Sequence, residues 1–231
     1  HGTMMSIAST DIAILGGGLS GGLLALALCA RKPHLKVTVF EQGERCGGDH
    51  VWSYFASDID EGADLLAPLI AARWDGYDVR FPKRRRTLNT TYQSVTSERL
   101  DAVLRATLPE GHLITGATVT HVTPHTVTLG DGRTCNAGAV IDARGAQSFP
   151  HMMGGWQKFT GQMLRLSAPH GLVRPIVMDA TVAQHDGYRF IYTLPFSPTE
   201  VFVEDTYYAD GPTLDAPTMR ERIADYAVQQ G

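Results

Sequence analysis

The polar and apolar positions fall into two regimes along the chain. Asp11-Ile12-Ala13-Ile14-Leu15 is a short, nearly all-apolar run that stops at a glycine cluster, the pattern of a strand buried on both faces of a parallel sheet. Residues 19–30 are rich in leucine and alanine and end before Pro33, which predicts a helix. Residues 36–41 predict the next strand, so the chain opens on a βαβ unit. Residues 45–86 carry no clean period. Residues 96–108 predict a helix with Thr96 or Ser97 as N-cap and Pro109 beyond its end. Strands follow at 117–122, 126–129 and 133–135, the last two joined through the hairpin signal Gly130-Asp131-Gly132. A fourth, apolar strand at 139–142 ends at Arg144-Gly145.

Past Phe149 the pattern changes. Residues 163–166, 176–181, 188–194 and 200–208 predict strands whose connections are too short for helices, so their sheet is expected to be antiparallel. Residues 213–230 are helical again. The expected fold is α/β: a Rossmann-like dinucleotide-binding domain over 11–149 and a β-rich substrate domain over 150–231 ending in a helix. Residues 1–10 read as a flexible start, with His1-Gly2-Thr3-Met4 a tag remnant before Met4 or Met5.

Composition narrows the class. Twenty Lys and Arg against 24 Asp and Glu give a net charge of −4, with 43% apolar and 19% charged residues. That excludes disorder and argues against a polybasic nucleic-acid binder. The longest apolar stretch, around 23–30, is far short of the roughly 20 residues of a membrane-spanning helix. No export signal is read, so a non-secreted protein is expected. Cys29, Cys46 and Cys135 are odd in number and fit no disulfide or metal spacing. His50, His121, His125 and His185 form no ligand pattern, and no metal is expected.

The glycine cluster carries the first chemistry. Gly16-x-Gly18-x-x-Gly21 follows a predicted strand and opens a predicted helix. The first glycine permits a tight turn, the second lets a pyrophosphate approach the backbone, and the third lets helix and strand pack closely. Glu41, at the end of the next strand, is placed to accept hydrogen bonds from a ribose. Arg45-Cys46-Gly47-Gly48 then resembles the Gly-Gly that many FAD enzymes carry after that acid. Arg99 resembles the flavin-contacting arginine of the hydroxylase-like FAD family, and Ile141-Asp142-Ala143-Arg144-Gly145 its strand end under the dinucleotide.

Longer segments resemble one family. Gly47-Gly48-Asp49-His50-Val51-Trp52-Ser53 is similar to the Gly-Gly-Asn-His-Thr-Trp-Ser segment of bacterial lycopene β-cyclases, with Asp49 in place of the usual Asn. Tyr77-Asp78-Val79-Arg80-Phe81-Pro82-Lys83-Arg84-Arg85-Arg86 also resembles that family. So do Met178-Asp179-Ala180-Thr181-Val182-Ala183-Gln184-His185-Asp186-Gly187-Tyr188-Arg189-Phe190 and Val203-Glu204-Asp205-Thr206. The resemblance implies closure of the ψ-ends of lycopene into β-rings, redox-neutral yet dependent on reduced FAD with NAD(P)H as electron source, and Glu204 as acid–base residue. It also implies a chain that extends past Gly231, so a C-terminally shortened cyclase is expected.

The residues suit that chemistry. Cyclisation needs a proton delivered to one alkene carbon and removed from another, and a carboxyl whose pKa burial has raised does both. Glu204 and Asp205 are adjacent on a predicted strand and point to opposite faces. The residues alone leave open which faces the cavity; the resemblance selects Glu204. Seven of the 19 aromatics lie between Tyr188 and Tyr208. Tyr188, Phe190 and Tyr192 alternate on one strand face, and with Phe202 they are candidate contacts for a polyene and its cation. Lys83-Arg84-Arg85-Arg86 is a candidate for anionic lipid, consistent with peripheral attachment on the cytoplasmic side of a membrane. The alternatives are a related flavin hydroxylase or isoprenoid reductase, or an inactive fragment that keeps only the dinucleotide fold.

Overall fold

A computed structural model describes residues 6–145, 151, 153–185 and 187–231. The expected tag remnant, the Phe149 boundary and Asp186 of the long motif lie outside the described residues. The chain runs β1 (Thr10–Leu15), α1 (Leu19–Arg31), β2 (Val37–Phe40), β3 (Val51–Phe55), α2 (Ala63–Leu66), β4 (Ala72–Trp74), β5 (Tyr77–Phe81), β6 (Arg84–Leu88), β7 (Tyr92–Thr96) and α3 (Ser97–Thr107). It continues through β8 (Leu113–Ile114), β9 (Val119–Thr123), β10 (Thr126–Leu129), β11 (Thr134–Asp142), β12 (Trp156–Arg165), β13 (Ile176–Asp179), β14 (Tyr188–Ser197), β15 (Glu200–Ala209) and α4 (Ala216–Gln230). Two compact units form. One comprises the described residues of 1–54, 58–71 and 94–149; the other comprises those of 55–57, 72–93 and 150–231. Residues 72–93 thus gather with the second unit and not with the flanking 11–149 segment.

The first unit is built on a sheet of order β8-β2-β1-β11-β10-β9. β1 lies between β2 and β11, parallel to both, with Leu15 opposite Phe40 on one side and Asp142 on the other. The run 11–15 is continuously apolar because both faces of β1 are covered. Ile14 packs with Val37, Val39, Ala25, Leu100 and Leu104, whereas Ala13 and Leu15 pack with Phe40, Val127 and Cys135. Gly22 of α1 admits α3, since a Cβ there would stand 3.1 Å from Leu100 and 3.2 Å from Leu104. The expected strands at 133–135 and 139–142 are one strand, β11. Its apparent break at Gly138 is a close approach: a Cβ there would lie 2.8 Å from the carbonyl oxygen of Asp11.

The second unit is built on a sheet of order β12-β15-β14-β13-β5-β6. Its pairs are antiparallel except β13 with β5, which is parallel. The expectation of a wholly antiparallel sheet is corrected there, because β5 comes from the aperiodic 45–86 stretch. One face is covered by α4, through Ile223 and Tyr226 against Ile191, Val201 and Val203. α4 starts at Ala216 and not at 213, because Asp215 caps it by accepting from the amide and hydroxyl of Thr218. The register pairs Tyr188 with Tyr208, Phe190 with Thr206, Tyr192 with Glu204 and Leu194 with Phe202. These even-numbered residues therefore share the face opposite α4.

Candidate functional site

In the first unit a cleft of about 780 Å³ opens at the C-terminal ends of β1, β2 and β11, the end of a parallel sheet where ligands bind. Gly16, Gly18, Glu41, Gly47, Gly48 and Asp142 line it, joined by His50 and Trp52, whose ring centroids are 5.5 Å apart. Gly16 and Gly21 answer steric demands. Gly16 has φ +99°, and a Cβ at Gly21 would stand 2.0 Å from the carbonyl oxygen of Gly16, so only glycine lets α1 rise so close to β1. Gly21 thus shapes the cleft from behind without lining it. A Cβ at Gly18 meets nothing within 4 Å. Gly18 is the N-cap of α1 and offers no side-chain cap, and the helix has no acidic residue in its first turn. The uncapped amides and the positive helix end suit a phosphate.

Glu41 is fixed by two backbone amides. Gly17 N donates to Oε2 and Gly43 N to Oε1, each at 2.7 Å. Each oxygen keeps a lone pair for a ribose hydroxyl. Ser97 pins the Gly47–His50 loop to the start of α3: its hydroxyl accepts from His50 N at 2.6 Å and lies 3.1 Å from Gly47 O and 2.9 Å from His50 O. Asp142 pairs with Arg144 at 2.6 Å, and that hydrogen bond holds its carboxyl below the ordinary range. Behind the loop, burial and then the Asp101 charge push the Cys46 thiol up to about 12, so it is a packing residue and not a nucleophile.

Arg99 does not join this cleft. Its Nε donates to Pro68 O at 2.6 Å and its side chain lies in a separate surface hollow with Ile70, Ala71 and Glu98. Its place at the head of α3 fits the sequence pattern, but the α2–β4 connection holds the guanidinium away. Among the described residues no group of three His, Cys, Asp or Glu is placed to hold a metal ion.

In the second unit the two adjacent acids of β15 have opposite fates. Asp205, fully buried on the α4 face, accepts from Arg189 Nε at 2.7 Å, Arg189 Nη2 at 3.3 Å and the Tyr207 hydroxyl at 2.8 Å. Arg189 also donates to Ala183 O at 3.0 Å. Glu204 lies on the other face and accepts one hydrogen bond, from Thr206 Oγ1 at 2.8 Å, with no cation partner among the described residues. Burial raises its carboxyl from 4.5 to about 6, against the lowering effect of the Thr206 hydroxyl. Opposite Glu204 on β12 stands Gly161, where a Cβ would lie 2.3 Å from the ring of Phe202. The missing side chain lets the Phe202 ring, on the same strand as Glu204, lean over β12.

Of the four expected aromatics, Phe202 lies over Gly161 and the other three sort into two clusters on this face. Tyr188, Phe190 and Tyr208 lie with ring centroids 6.1–6.4 Å apart. Tyr192 joins a second group that sequence reasoning missed. Its hydroxyl is 2.6 Å from that of Tyr92, whose ring stands 4.8 Å from Phe55, 6.0 Å from Tyr77 and 6.5 Å from Trp74. Those residues sit in four separate strands of three to five residues, so their convergence depends on tertiary pairing. Their density of large rings was the one available signal.

Solved structures share this fold at low identity. A geranylgeranyl bacteriochlorophyll reductase-like protein from Thermoplasma acidophilum matches with TM-score 0.64 and 15% identity, over 96% of this chain and 62% of its own. The p-nitrophenol 4-monooxygenase of Pseudomonas putida DLL-E4 matches with TM-score 0.64 and 16% identity, over 94% and 62%. The fold is thus the Rossmann-like α/β arrangement with a β-rich second unit, as expected. Two curated relatives are nearer in sequence. The lycopene beta-cyclase of Pseudescherichia vulneris is 46% identical over 222 residues, 96% of this chain and 57% of the relative. That of Pantoea ananas is 44% identical over 222 residues, 96% and 58%. The chain therefore spans a little over half the length of these relatives. The family model for "Lycopene cyclase protein" matches residues 11–231, from the glycine loop through the Glu204 strand. With a match running through both units, the chain belongs to the lycopene cyclase family.

Proposed function

We propose that this chain carries the dinucleotide cleft and the acid–base carboxyl of an FAD-dependent lycopene β-cyclase, which converts the ψ-ends of lycopene to β-rings through γ-carotene to β-carotene. One observation carries the proposal: Glu204 is a largely buried carboxyl, without a cation partner among the described residues, raised to about 6 on an aromatic sheet face. About one Glu204 in ten is protonated at pH 7, which supplies a proton donor near neutrality. The acid form gives its proton to the CH carbon of the terminal double bond of a ψ-end, leaving a tertiary cation at the dimethyl carbon. The neighbouring double bond closes on that cation and forms the ring. The carboxylate then takes a proton from the carbon next to the new cation, creating the ring double bond and restoring the acid. No atoms or electrons are gained or lost. Tyr188, Phe190, Tyr192 and Phe202 exclude water and present ring faces to the cation, worth about 0.5–2 kcal/mol each.

The cleft residues suit FAD: Gly16, Gly18 and the α1 amides toward the pyrophosphate, Glu41 toward the ribose, and Gly47, Gly48 and Asp142 around the remainder. Bound in its reduced form, with NAD(P)H as electron source, the flavin would supply an electron-rich ring. The substrate is a bilayer hydrocarbon, and among the described residues no helix is long and apolar enough to cross a membrane. The proposal includes peripheral attachment on the cytoplasmic side, supported by the hydrocarbon nature of the substrate.

The test is incubation of the chain with FAD, reductant and lycopene, with products separated by chromatography. β-Ringed products without stoichiometric NAD(P)H oxidation are expected. Stoichiometric oxidation with reduced or hydroxylated products would instead identify an oxidoreductase. No flavin absorbance after added FAD would mark a fragment that keeps only the fold.

A further inference from the structure

We infer that the β5–β6 hairpin is a docking edge for an anionic lipid bilayer, an assignment that rests on the proposed hydrocarbon substrate and places the membrane contact in the fold. β6 is the outer strand of the second unit's sheet, and residues 81–87 are all exposed. Lys83, Arg84, Arg85 and Arg86 hold four of the chain's 20 cations in consecutive positions, although the whole chain is net negative. Among the described residues none of the four makes an ion pair. Arginines with no protein carboxylate partner, three in a row along a free strand, suit a surface of phosphates. The same row of charge repels a second copy of the strand, so edge-to-edge pairing is opposed.

Register connects this edge to the Glu204 face. Arg84 pairs with Phe81 and Arg86 with Val79, and Val79 pairs with Met178 of β13. The sulfur of Met178 lies 3.3 Å from the Tyr188 hydroxyl. Arg85 pairs with Arg80, which reaches Asp179 and Gln230 on the α4 face. Arg84 and Arg86 therefore stand at the rim of the face that bears Tyr188, Phe190 and Glu204, with an apolar path between. The hairpin tip adds Phe81, 36% exposed, and Pro82. A basic rim with an apolar tip, continuous with an aromatic face, is suited to draw a hydrocarbon from a bilayer without leaving its surface.

The test is cosedimentation of the chain with vesicles of 70% phosphatidylcholine and 30% phosphatidylglycerol, against pure phosphatidylcholine, without lycopene or FAD. Failure of the cyclase assignment leaves this assay untouched, so the two are separable. Wild-type chain is expected to bind the anionic vesicles and to release in high salt. A triple Arg84→Gln, Arg85→Gln, Arg86→Gln variant should bind about fivefold more weakly per arginine, on the order of 100-fold in all. The corresponding triple lysine variant should bind as wild type, and circular dichroism establishes that each variant is folded. An Arg31→Gln, Arg133→Gln, Arg165→Gln variant, which removes the same charge from ion-paired surface sites, should bind as wild type. Wild type that ignores anionic vesicles, a glutamine variant that binds equally, or preferential capture by RNA at equal phosphate concentration would each overturn the assignment.

Discussion

Replacing Glu204 by glutamine tests the burial of its carboxyl independently of any activity. The side chain keeps its shape and still accepts the Thr206 hydrogen bond made at 2.8 Å, but it no longer titrates. In the folded chain the carboxyl titrates near 6 against an ordinary 4.5, a difference equivalent to ~2 kcal/mol. The sign follows from linkage. A folded-state value above the unfolded one means that the native state binds the proton more tightly. The stabilisation is fully present below pH 4.5, and it is lost as pH rises through 6. Urea unfolding of wild type and Glu204→Gln at pH 4 and pH 7.5 isolates the effect as a difference of differences, since the other carboxylates cancel. Wild type should gain ~2 kcal/mol over the variant at pH 4 relative to pH 7.5. A difference that does not change with pH would refute the claim of a largely buried carboxyl with a raised titration point.

Asp205→Ala should behave quite differently from Glu204→Gln, since it strands the buried Arg189 guanidinium. A loss of about 3–5 kcal/mol is expected in urea unfolding at pH 7. Gly21→Ala should destabilise the chain and abolish FAD binding, because its Cβ meets the Gly16 carbonyl at 2.0 Å. Gly18→Ala, with nothing within 4 Å, should fold normally and weaken FAD binding in fluorescence titration. Cys46, its thiol pushed up to about 12, should stay unreactive toward a thiol-titrating disulfide at pH 8 until the chain is unfolded.

What the sequence made legible was what the backbone or a single strand dictates. The apolar run at 11–15, the glycines at 16 and 21 and the acid at 41 each answer a local steric or hydrogen-bonding demand, so the βαβ unit and its cleft could be read directly. The alternation of Tyr188, Phe190 and Tyr192 likewise placed them on one face. The split between Glu204 and Asp205 was legible only as opposite faces. Which acid is bonded depends on Arg189 and Tyr207, brought there by the β14–β15 register. Arg99 occupies the expected helix position, yet a carbonyl from 31 residues upstream in the sequence claims its side chain. β6 shows no pattern because an exposed edge strand of arginines has no apolar face, whereas β5 alternates Tyr77, Val79 and Phe81 with polar residues over only five positions, and its pairing with β13 assigns both to the second unit.

The central claim is that Glu204 moves the protons of ring closure. Its most direct test compares wild type with Glu204→Gln in lycopene cyclisation, with flavin binding measured on both. Wild type is predicted to form β-rings and the variant none, while both bind FAD equally. A variant that still forms β-rings at the wild-type rate would contradict the account.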